Sequence, residues 1–203
     1  MLIATSVELL TSLLFDKTFW VTKTFWVTNR GIAFPRQMAK QIEIRQVTAH
    51  DFDALAGVMF EAVRCGNSEY TEEQRRAWVP RRRHGDEWVE RLASQSIFAA
   101  VESSGIVGFM SLKTCGYIDF AYVLPRAQGT GVFRRLYESI ENLAHKNGAR
   151  RLWVHASLMA QPAFAAMGFK VTRKEVIEIG NQSLERAEME KQIDDGCGSD
   201  SDR

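Results

Sequence analysis

Hydrophobic and polar residues follow two different periods along residues 41–192. Residues 41–47 (QIEIRQV) alternate between the two classes, which predicts a strand with one buried face. Apolar residues recur at helical spacing from Phe52 to Val63 and again from Phe133 to Ala144. The same criteria predict the remaining elements: helices over 71–78, 86–94 and 159–167, and strands over 96–102, 106–113, 117–124, 151–156, 169–179 and 183–189. Helices and strands in this mixed order predict an α/β domain on a central sheet.

The two ends of the chain differ from this middle part. Residues 18–29 hold a tandem hexapeptide, TFWVTK followed by TFWVTN. It is interpreted either as an edge hairpin or chance duplication, or as an apolar anchor for a partner. Residues 194–203 (DDGCGSDSDR) are rich in Asp and Gly and hold no large apolar residue. We therefore predict a domain over 41–192, a flexible acidic tail over 193–203, and an N-terminal extension over 1–40 whose part in the working protein stays open.

Composition and charge narrow the functional classes. Hydrophobic residues make up 45% of the chain and charged residues 25%, as in soluble globular proteins. Lys plus Arg number 26 and Asp plus Glu 25, so we expect no nucleic-acid partner. We also expect no membrane partner, because the longest apolar segment, residues 1–15, is too short to span a bilayer. Three scattered cysteines predict reduced thiols and a cytoplasmic location, and the four histidines show no metal-ligand spacing.

An arginine cluster lies between the predicted helices 71–78 and 86–94. Arg75 and Arg76 precede Trp78, and residues 81–84 (RRRH) follow it. Such a run is typical of a solvated helix face. The alternative is a site that attracts an acidic acceptor or a nucleotide phosphate.

The most informative segment is residues 117–131 (YIDFAYVLPRAQGTG), where a predicted strand, a glycine-containing turn and a helix follow one another. Unpaired N–H groups in such a turn and at a helix N-terminus bind anions. Gly129 and Gly131 let the backbone approach a pyrophosphate closely, and Arg126 adds a positive charge. The third glycine position of a dinucleotide-binding fingerprint holds Arg134, and no G-K-[ST] follows, so neither common phosphate loop matches. A plain strand–turn–helix connection is the alternative.

This turn also carries a family resemblance. Arg126, Gly129 and Gly131 form an R-x-x-G-x-G pattern directly after V-x-P at residues 123–125, which resembles motif A of the GCN5-related N-acetyltransferases (GNAT). Gly168-Phe169 is similar to a late motif of that superfamily, and the N-terminal half is similar to a subgroup of small bacterial acetyltransferase-like proteins. The resemblance covers residues 41–192. It implies a single GNAT-type domain with a mixed, mostly antiparallel central sheet of about six or seven strands flanked by about four helices.

The resemblance implies acetyl-CoA as co-substrate and acetyl transfer to a primary amine by direct attack in a ternary complex. The acceptor is then a small molecule or a protein amine, and a homodimer stays open. CoA contacts, mostly through backbone N–H groups, are implied for Val123, Arg126, Ala127, Gln128, Gly129, Thr130 and Gly131. Ser157 and Phe164 take positions beside the cofactor where many relatives carry Asn and Tyr. Because Phe164 has no hydroxyl to protonate a thiolate, a non-catalytic CoA-binding or regulatory module is the alternative function.

Acetyl transfer also needs groups that move protons. Asp119 lies four residues before Val123, where many relatives place a Glu, so it is the candidate base, acting through water. A solvated strand-edge residue is the alternative interpretation of Asp119. Tyr70 and Tyr122 are candidates for the missing acid, and plain packing is the alternative for each.

Overall fold

The computed structural model of the protein describes residues 41–193. The tandem hexapeptide and residues 194–203 of the predicted tail lie outside these described residues, so both interpretations stay predictions. Ile193, which the sequence assigned to the tail, is buried, and its N–H donates to Arg150 O at 2.8 Å. This residue therefore packs with the domain.

The described part of the chain holds five α-helices, eight strands and two single-turn 3-10 helices, Ala49–Asp51 and Pro125–Ala127. The helices are α1 (Phe52–Arg64), α2 (Glu72–Trp78), α3 (Asp86–Ala93), α4 (Val132–Lys146) and α5 (Gln161–Ala166). The strands are β1 (Glu43–Gln46), β2 (Ser96–Glu102), β3 (Gly105–Leu112), β4 (Tyr117–Ile118), β5 (Ala121–Val123), β6 (Arg151–Ser157), β7 (Lys170–Ile179) and β8 (Gln182–Gln192). None of these helices is both long and apolar enough to cross a membrane.

The strands form two four-stranded sheets rather than one continuous sheet. One sheet has the order β1-β2-β3-β5 and the other has the order β4-β6-β8-β7. All pairs are antiparallel except β4 with β6. The predicted mixed, mostly antiparallel α/β architecture is confirmed, with more strands than expected.

The division arises inside the segment that the sequence predicts as one strand over 117–124. Tyr117 and Ile118 pair with β6, whereas Ala121–Val123 pair with β3. Asp119 and Phe120 lie between the two short strands, where the chain passes from one sheet to the other. β4 pairs with β6, but β5 does not, and a cleft opens between β5 and β6 beyond this break.

Helices cover both faces of the β1-β2-β3-β5 sheet. Gly108 on β3 lies close to Val132 of α4. A Cβ at position 108 would be only 3.3 Å from a Val132 methyl group. The neighbouring Phe109 points to the opposite face and contacts Phe120, against which Trp88 of α3 packs edge-on. These contacts belong to a core that extends along α1 and α4.

An ion pair joins β1 to the start of α1. The Arg45 guanidinium donates to Asp51 Oδ1 at 2.7 Å and to Oδ2 at 2.9 Å, and Thr48 N–H donates to Oδ2 at 2.9 Å. The hydrogen bonds from Arg45 hold the pKa of the Asp51 carboxyl well below its usual range. The folded carboxyl therefore stays ionised at pH values where the unfolded one is protonated.

Replacing Asp51 by Asn is expected to lower the free energy of unfolding by about 1 kcal/mol near neutral pH. The folded pKa lies below the unfolded value of about 3.9, so this stabilisation is present above that value and is lost as the pH falls below it. Urea titrations of both proteins at about pH 7 and about pH 2.5 measure the difference. A gap between the two proteins that is as large in acid as at neutral pH would contradict this account.

Candidate active site

The cleft between β5 and the end of β6 encloses a cavity of about 460 Å³, within the usual range for small-molecule sites. The strand edge of β5 forms one wall, and the chain from the end of β6 to α5 forms the other. The end of α1, the segment between α1 and α2, the second half of α2 and the turn before α4 complete the lining. Residues of this lining that bear on the chemistry are Tyr70, Arg75, Trp78, Tyr122, Val123, Ala127, Gln128, Gly129, Gly131, Phe133, Arg134, Ser157, Met159 and Ala160.

Backbone groups of β5 face the cleft. Val123 pairs with Gly108 of β3, and the next N–H, that of Leu124, donates to Val107 O at 2.8 Å. Neighbouring residues of an antiparallel strand direct their N–H and C=O groups to opposite sides, so those of Val123 point away from β3. Val123 O accepts a hydrogen bond from Gln128 Nε2 at 3.2 Å. The Val123 N–H is therefore a donor directed into the cleft.

The turn after β5 ends in the N-terminus of α4. Gly129 and Gly131 have φ angles of 73° and 84°, a region that other residues seldom adopt. Thr130 Oγ1 donates to Ala127 O at 2.7 Å and closes the turn internally. The first hydrogen bond of the helix runs from Arg135 N–H to Gly131 O at 3.1 Å. The preceding N–H groups of the first turn consequently have no acceptor within the helix.

These N–H groups suit a phosphate. The first turn of α4 holds no acidic residue, and Arg134 lines the cavity beside it. A Cβ at Gly129 or Gly131 would meet no atom within 4 Å, which leaves room over the turn for a ligand. Helix dipole and free donors both favour an anion here. The residues present thus fit the pyrophosphate of a CoA molecule.

CoA contacts are implied for Arg126 and Thr130, and each is a chain neighbour of residues that line the cavity. Neither residue contributes to the lining. The Arg126 guanidinium lies 3.8 Å from a Glu61 carboxylate oxygen and 3.5 Å from Ser104 Oγ. Because those partners lie on α1 and on the β2–β3 turn, the Arg126 side chain points along the outer surface.

Ser157 and Phe164, both expected beside the cofactor, separate in the structure. Ser157 lines the cavity at the end of β6. Phe164 is 1% exposed and lies behind the cavity wall, with its ring edge-on to Phe133 and to Phe169 at centroid distances of 5.1 Å. Ala163 of α5 and Met167, four residues later, line the cavity, so helical periodicity directs Phe164 away from it.

Tyr70 connects the segment before α2 to the far wall of the cleft. Its hydroxyl donates to Glu185 O at 2.5 Å and accepts from Leu158 N–H at 2.9 Å. Burial raises the pKa of the Tyr70 hydroxyl. Both features favour a positioning role over proton donation, since the hydroxyl proton is already engaged.

Tyr122 also lines the cavity, and its ring packs against Phe109 and Phe120. Burial raises the pKa of its hydroxyl strongly. A proton held this firmly is a weak source for catalysis near neutral pH. The geometry brings Tyr70 and Tyr122 to the same cavity but makes neither a ready acid.

Asp119 does not line the cavity, although the sequence proposes it as the base. Its side chain is 5% exposed, and the Arg91 guanidinium contacts both carboxylate oxygens at 2.9 and 3.1 Å. Lys113 Nζ lies 3.3 Å from Oδ2. Burial opposes ionisation, but these donors outweigh it and lower the pKa of Asp119 below its ordinary value. A lowered pKa makes a carboxylate a poorer proton acceptor.

Several lining residues escaped the sequence interpretation. Arg75 and Trp78 were considered only within the arginine cluster and not as part of the acetyl-CoA cleft, yet both line the cavity. The Thr71 capping box offers the one available signal, because it fixes where α2 begins and Gln74 Nε2 then donates to Ser183 O at 2.7 Å. Met159 contacts the same region through its sulfur, which accepts from Glu69 N–H at 3.3 Å.

Solved structures with this fold include a GCN5-related N-acetyltransferase from Rhodopseudomonas palustris. The two share 28% sequence identity with a TM-score of 0.71, over 77% of the present chain and 99% of the other. The yncA protein of Salmonella typhimurium, solved with its cofactor acetyl-CoA, is 18% identical with a TM-score of 0.58, over 79% and 98% of the two chains. At that identity the second likeness concerns the fold alone.

Sequence relatives agree with the structural ones. The uncharacterized N-acetyltransferase YafP of Escherichia coli (strain K12) is 29% identical over 138 residues, which is 68% of this chain and 87% of the relative. The family model for the acetyltransferase (GNAT) domain matches residues 67–192, more than half of the chain. The matched residues include the turn at Gly129 and Gly131 and both walls of the cleft. The chain therefore belongs to the GNAT acetyltransferase family.

Proposed function

We propose that the protein is an acetyl-CoA-dependent N-acetyltransferase that acetylates a primary amine by direct attack in a ternary complex. The observation that carries this proposal is the continuity of the cleft. The open edge of β5 leads directly into the turn at Gly129 and Gly131, whose free N–H groups precede α4. A small molecule or a protein amine is the expected acceptor, and a cytoplasmic location remains an expectation of the sequence.

Residues of the cleft would hold acetyl-CoA in two parts. The turn residues Gln128, Gly129 and Gly131, with Arg134, would bind the pyrophosphate through N–H groups and positive charge. The walls formed by Val123 and Ser157 would hold the pantetheine arm. When bound, acetyl-CoA supplies a thioester whose carbonyl carbon is the electrophile. The Val123 N–H is available to polarise the carbonyl oxygen.

Among the described residues that line the cleft, we assign no side chain as a dedicated proton donor or acceptor. As the C–N bond forms and the C–S bond breaks, the amine loses one proton and the departing sulfur gains one. Asp119 is ion-paired outside the cavity lining, and the Tyr70 hydroxyl is engaged with the backbone. We therefore propose that water accepts the amine proton. A thiol with a reference pKa of about 8.5 leaves as a thiolate without strong assistance.

The same observations favour a second candidate, a CoA-binding module without catalysis. Phe164 is buried and has no hydroxyl at the position where many relatives carry one. The hydroxyls of Tyr70 and Tyr122 do not replace it, because burial raises the pKa of each. The two candidates share the binding cleft. They differ in whether an amine is acetylated.

Two measurements on the full chain separate these candidates. Isothermal titration calorimetry with acetyl-CoA tests the cleft, and release of free thiol during an amine screen tests transfer. Binding with amine-dependent thiol release supports the acetyltransferase. Binding without release from any amine supports the module, and absence of binding contradicts both.

Replacing Tyr70 by Phe is expected to raise the KM for the acceptor and to lower kcat by less than about tenfold. The variant leaves Leu158 N–H and Glu185 O without their shared partner, which loosens the segment before α2. An essential general acid is worth about 10²–10⁴ in rate, so a loss of that size would assign the acid role to Tyr70. Steady-state kinetics with an acceptor from the screen measures the change.

A further inference from the structure

The Asp119 carboxylate is the centre of a closed hydrogen-bond ring. Gln95 Nε2 donates to Asp119 Oδ2 at 2.8 Å, and Ser111 Oγ donates to Gln95 Oε1 at 2.7 Å. Phe120 N–H donates to Ser111 Oγ at 3.0 Å, and Phe120 follows Asp119 in the chain. The ring therefore runs from the Asp119 carboxylate through Gln95 and Ser111 and returns to the peptide bond between Asp119 and Phe120.

Neighbouring contacts hold this ring in place. The Ser111 side chain is fully buried, and Ser111 N–H donates to Phe120 O at 2.9 Å. Gln95 Nε2 also donates to Arg91 O at 2.9 Å. The Arg91 guanidinium covers the Phe120 ring, 4.7 Å from its centroid, while it binds both Asp119 oxygens. Three side chains, those of Arg91 on α3, Gln95 just after α3 and Ser111 on β3, thus converge on two adjacent residues.

The ring lies at the point where the two sheets separate. Asp119 and Phe120 are the two residues between β4, which pairs with β6, and β5, which pairs with β3. Ala121 and Val123, two and four residues after Asp119, line the cavity. The direction of the strand edge at Val123 consequently depends on how the backbone turns at residues 119–120.

We propose that Asp119 is a positioning residue, which together with Gln95 and Ser111 holds the strand break that shapes the acetyl-CoA cleft. The inference rests on the proposed function, because the cleft is taken to be the acetyl-CoA site. Breaking the ring lets β5 follow β4 toward β6 and narrows the space beside Val123. A base role through water would require a carboxylate oxygen that is open toward the cavity, and both oxygens are engaged by Arg91, Lys113 and Gln95 instead.

Asp119→Asn and Ser111→Ala test this proposal by calorimetric titration with acetyl-CoA. Each variant disturbs the ring at a different residue: Asn places an NH2 group where a carboxylate oxygen accepts from Arg91 or Gln95, and Ala removes the Ser111 hydroxyl. Each is expected to raise the Kd by about tenfold, since small displacements of a binding wall have large effects. The Kd of the double variant should be no higher than that of the single variant with the higher Kd, because both substitutions act through the same ring. Ser111→Ala removes only a hydroxyl, so it keeps the test open if Asp119→Asn fails to fold.

The shape of the pH profile separates positioning from proton transfer. If Asp119 positions the cleft, kcat in Asp119→Asn keeps the pH dependence of the wild type. If Asp119 is the base, kcat falls by about 10²–10⁴, the acid limb disappears and the Kd for acetyl-CoA stays unchanged. That second pattern would overturn the proposal.

Asp51→Asn is the matched control. Asp51 is bound bidentately by Arg45 as Asp119 is by Arg91, but it lies before α1, outside the cavity lining. Its replacement is expected to leave the Kd for acetyl-CoA unchanged. A wild-type protein that does not bind acetyl-CoA contradicts the proposed function, whereas normal binding by both ring variants overturns the positioning role alone.

Discussion

Gly129→Asp is expected to weaken acetyl-CoA binding by about tenfold or more, equivalent to about 1.4 kcal/mol. The new carboxylate would lie beside the N–H groups that precede α4 and would repel the pyrophosphate. Gly129 has a φ of 73°, and a Cβ there meets no atom within 4 Å, so the substitution creates no clash. Calorimetric titration measures the loss.

Gly129→Asn is the control that isolates the charge. Asn has nearly the shape of Asp and also tolerates the left-handed region, so backbone strain is similar in both variants. The Asn variant should therefore lose much less affinity than the Asp variant. Equal losses would attribute the effect to the backbone, and unchanged affinity in a folded Asp variant would place the phosphate site elsewhere.

Phe164→Ala is expected to lower the free energy of unfolding by about 3–5 kcal/mol. The ring is 1% exposed and is held between Phe133 of α4 and Phe169 before β7, so its removal leaves a cavity between α5 and the sheet. Urea denaturation measures the change. A loss below about 1 kcal/mol would show that the surrounding residues close the gap or that the ring is not held there.

Phe164→Tyr tests the same position with almost unchanged volume. It would place a hydroxyl in the core, which is expected to cost about 1–3 kcal/mol if no partner is found. We expect no gain in turnover, because Phe164 does not line the cavity. A stable Tyr variant with a higher rate would show that the hydroxyl reaches the reacting sulfur and that the sequence-based placement was correct.

Local sequence determined most of the elements. The T-x-x-Q sequence at residues 71–74 forms a capping box at the start of α2, since Thr71 Oγ1 accepts from Gln74 N–H and Thr71 N–H donates to Gln74 Oε1. The final antiparallel pair turns at Gly180, whose φ of 63° suits glycine. The phosphate turn was predictable for the same reason, because strand end, glycines and helix start are consecutive in the chain and their N–H groups need no distant partner.

The break within the predicted strand over 117–124 was not predictable in this way. Its pattern is compatible with one continuous strand, and only pairing with β6 on one side and β3 on the other divides it. Strand partners are set by contacts far apart in sequence, which periodicity does not encode. The same limit applies to the cavity wall at Trp78, which depends on how α2 docks on β8.

The sequence by itself determined the family, the order of the elements and the strand–turn–helix segment around Gly129 and Gly131, since each depends on residues that are neighbours in the chain. Only the tertiary structure decided the surroundings of Asp119 and Phe164. Arg91, Gln95 and Ser111, which surround Asp119, lie 28, 24 and 8 positions away from it. A carboxylate is a base or an ion-pair partner according to the charges around it, and an aromatic ring faces a cleft or a core according to how its helix docks.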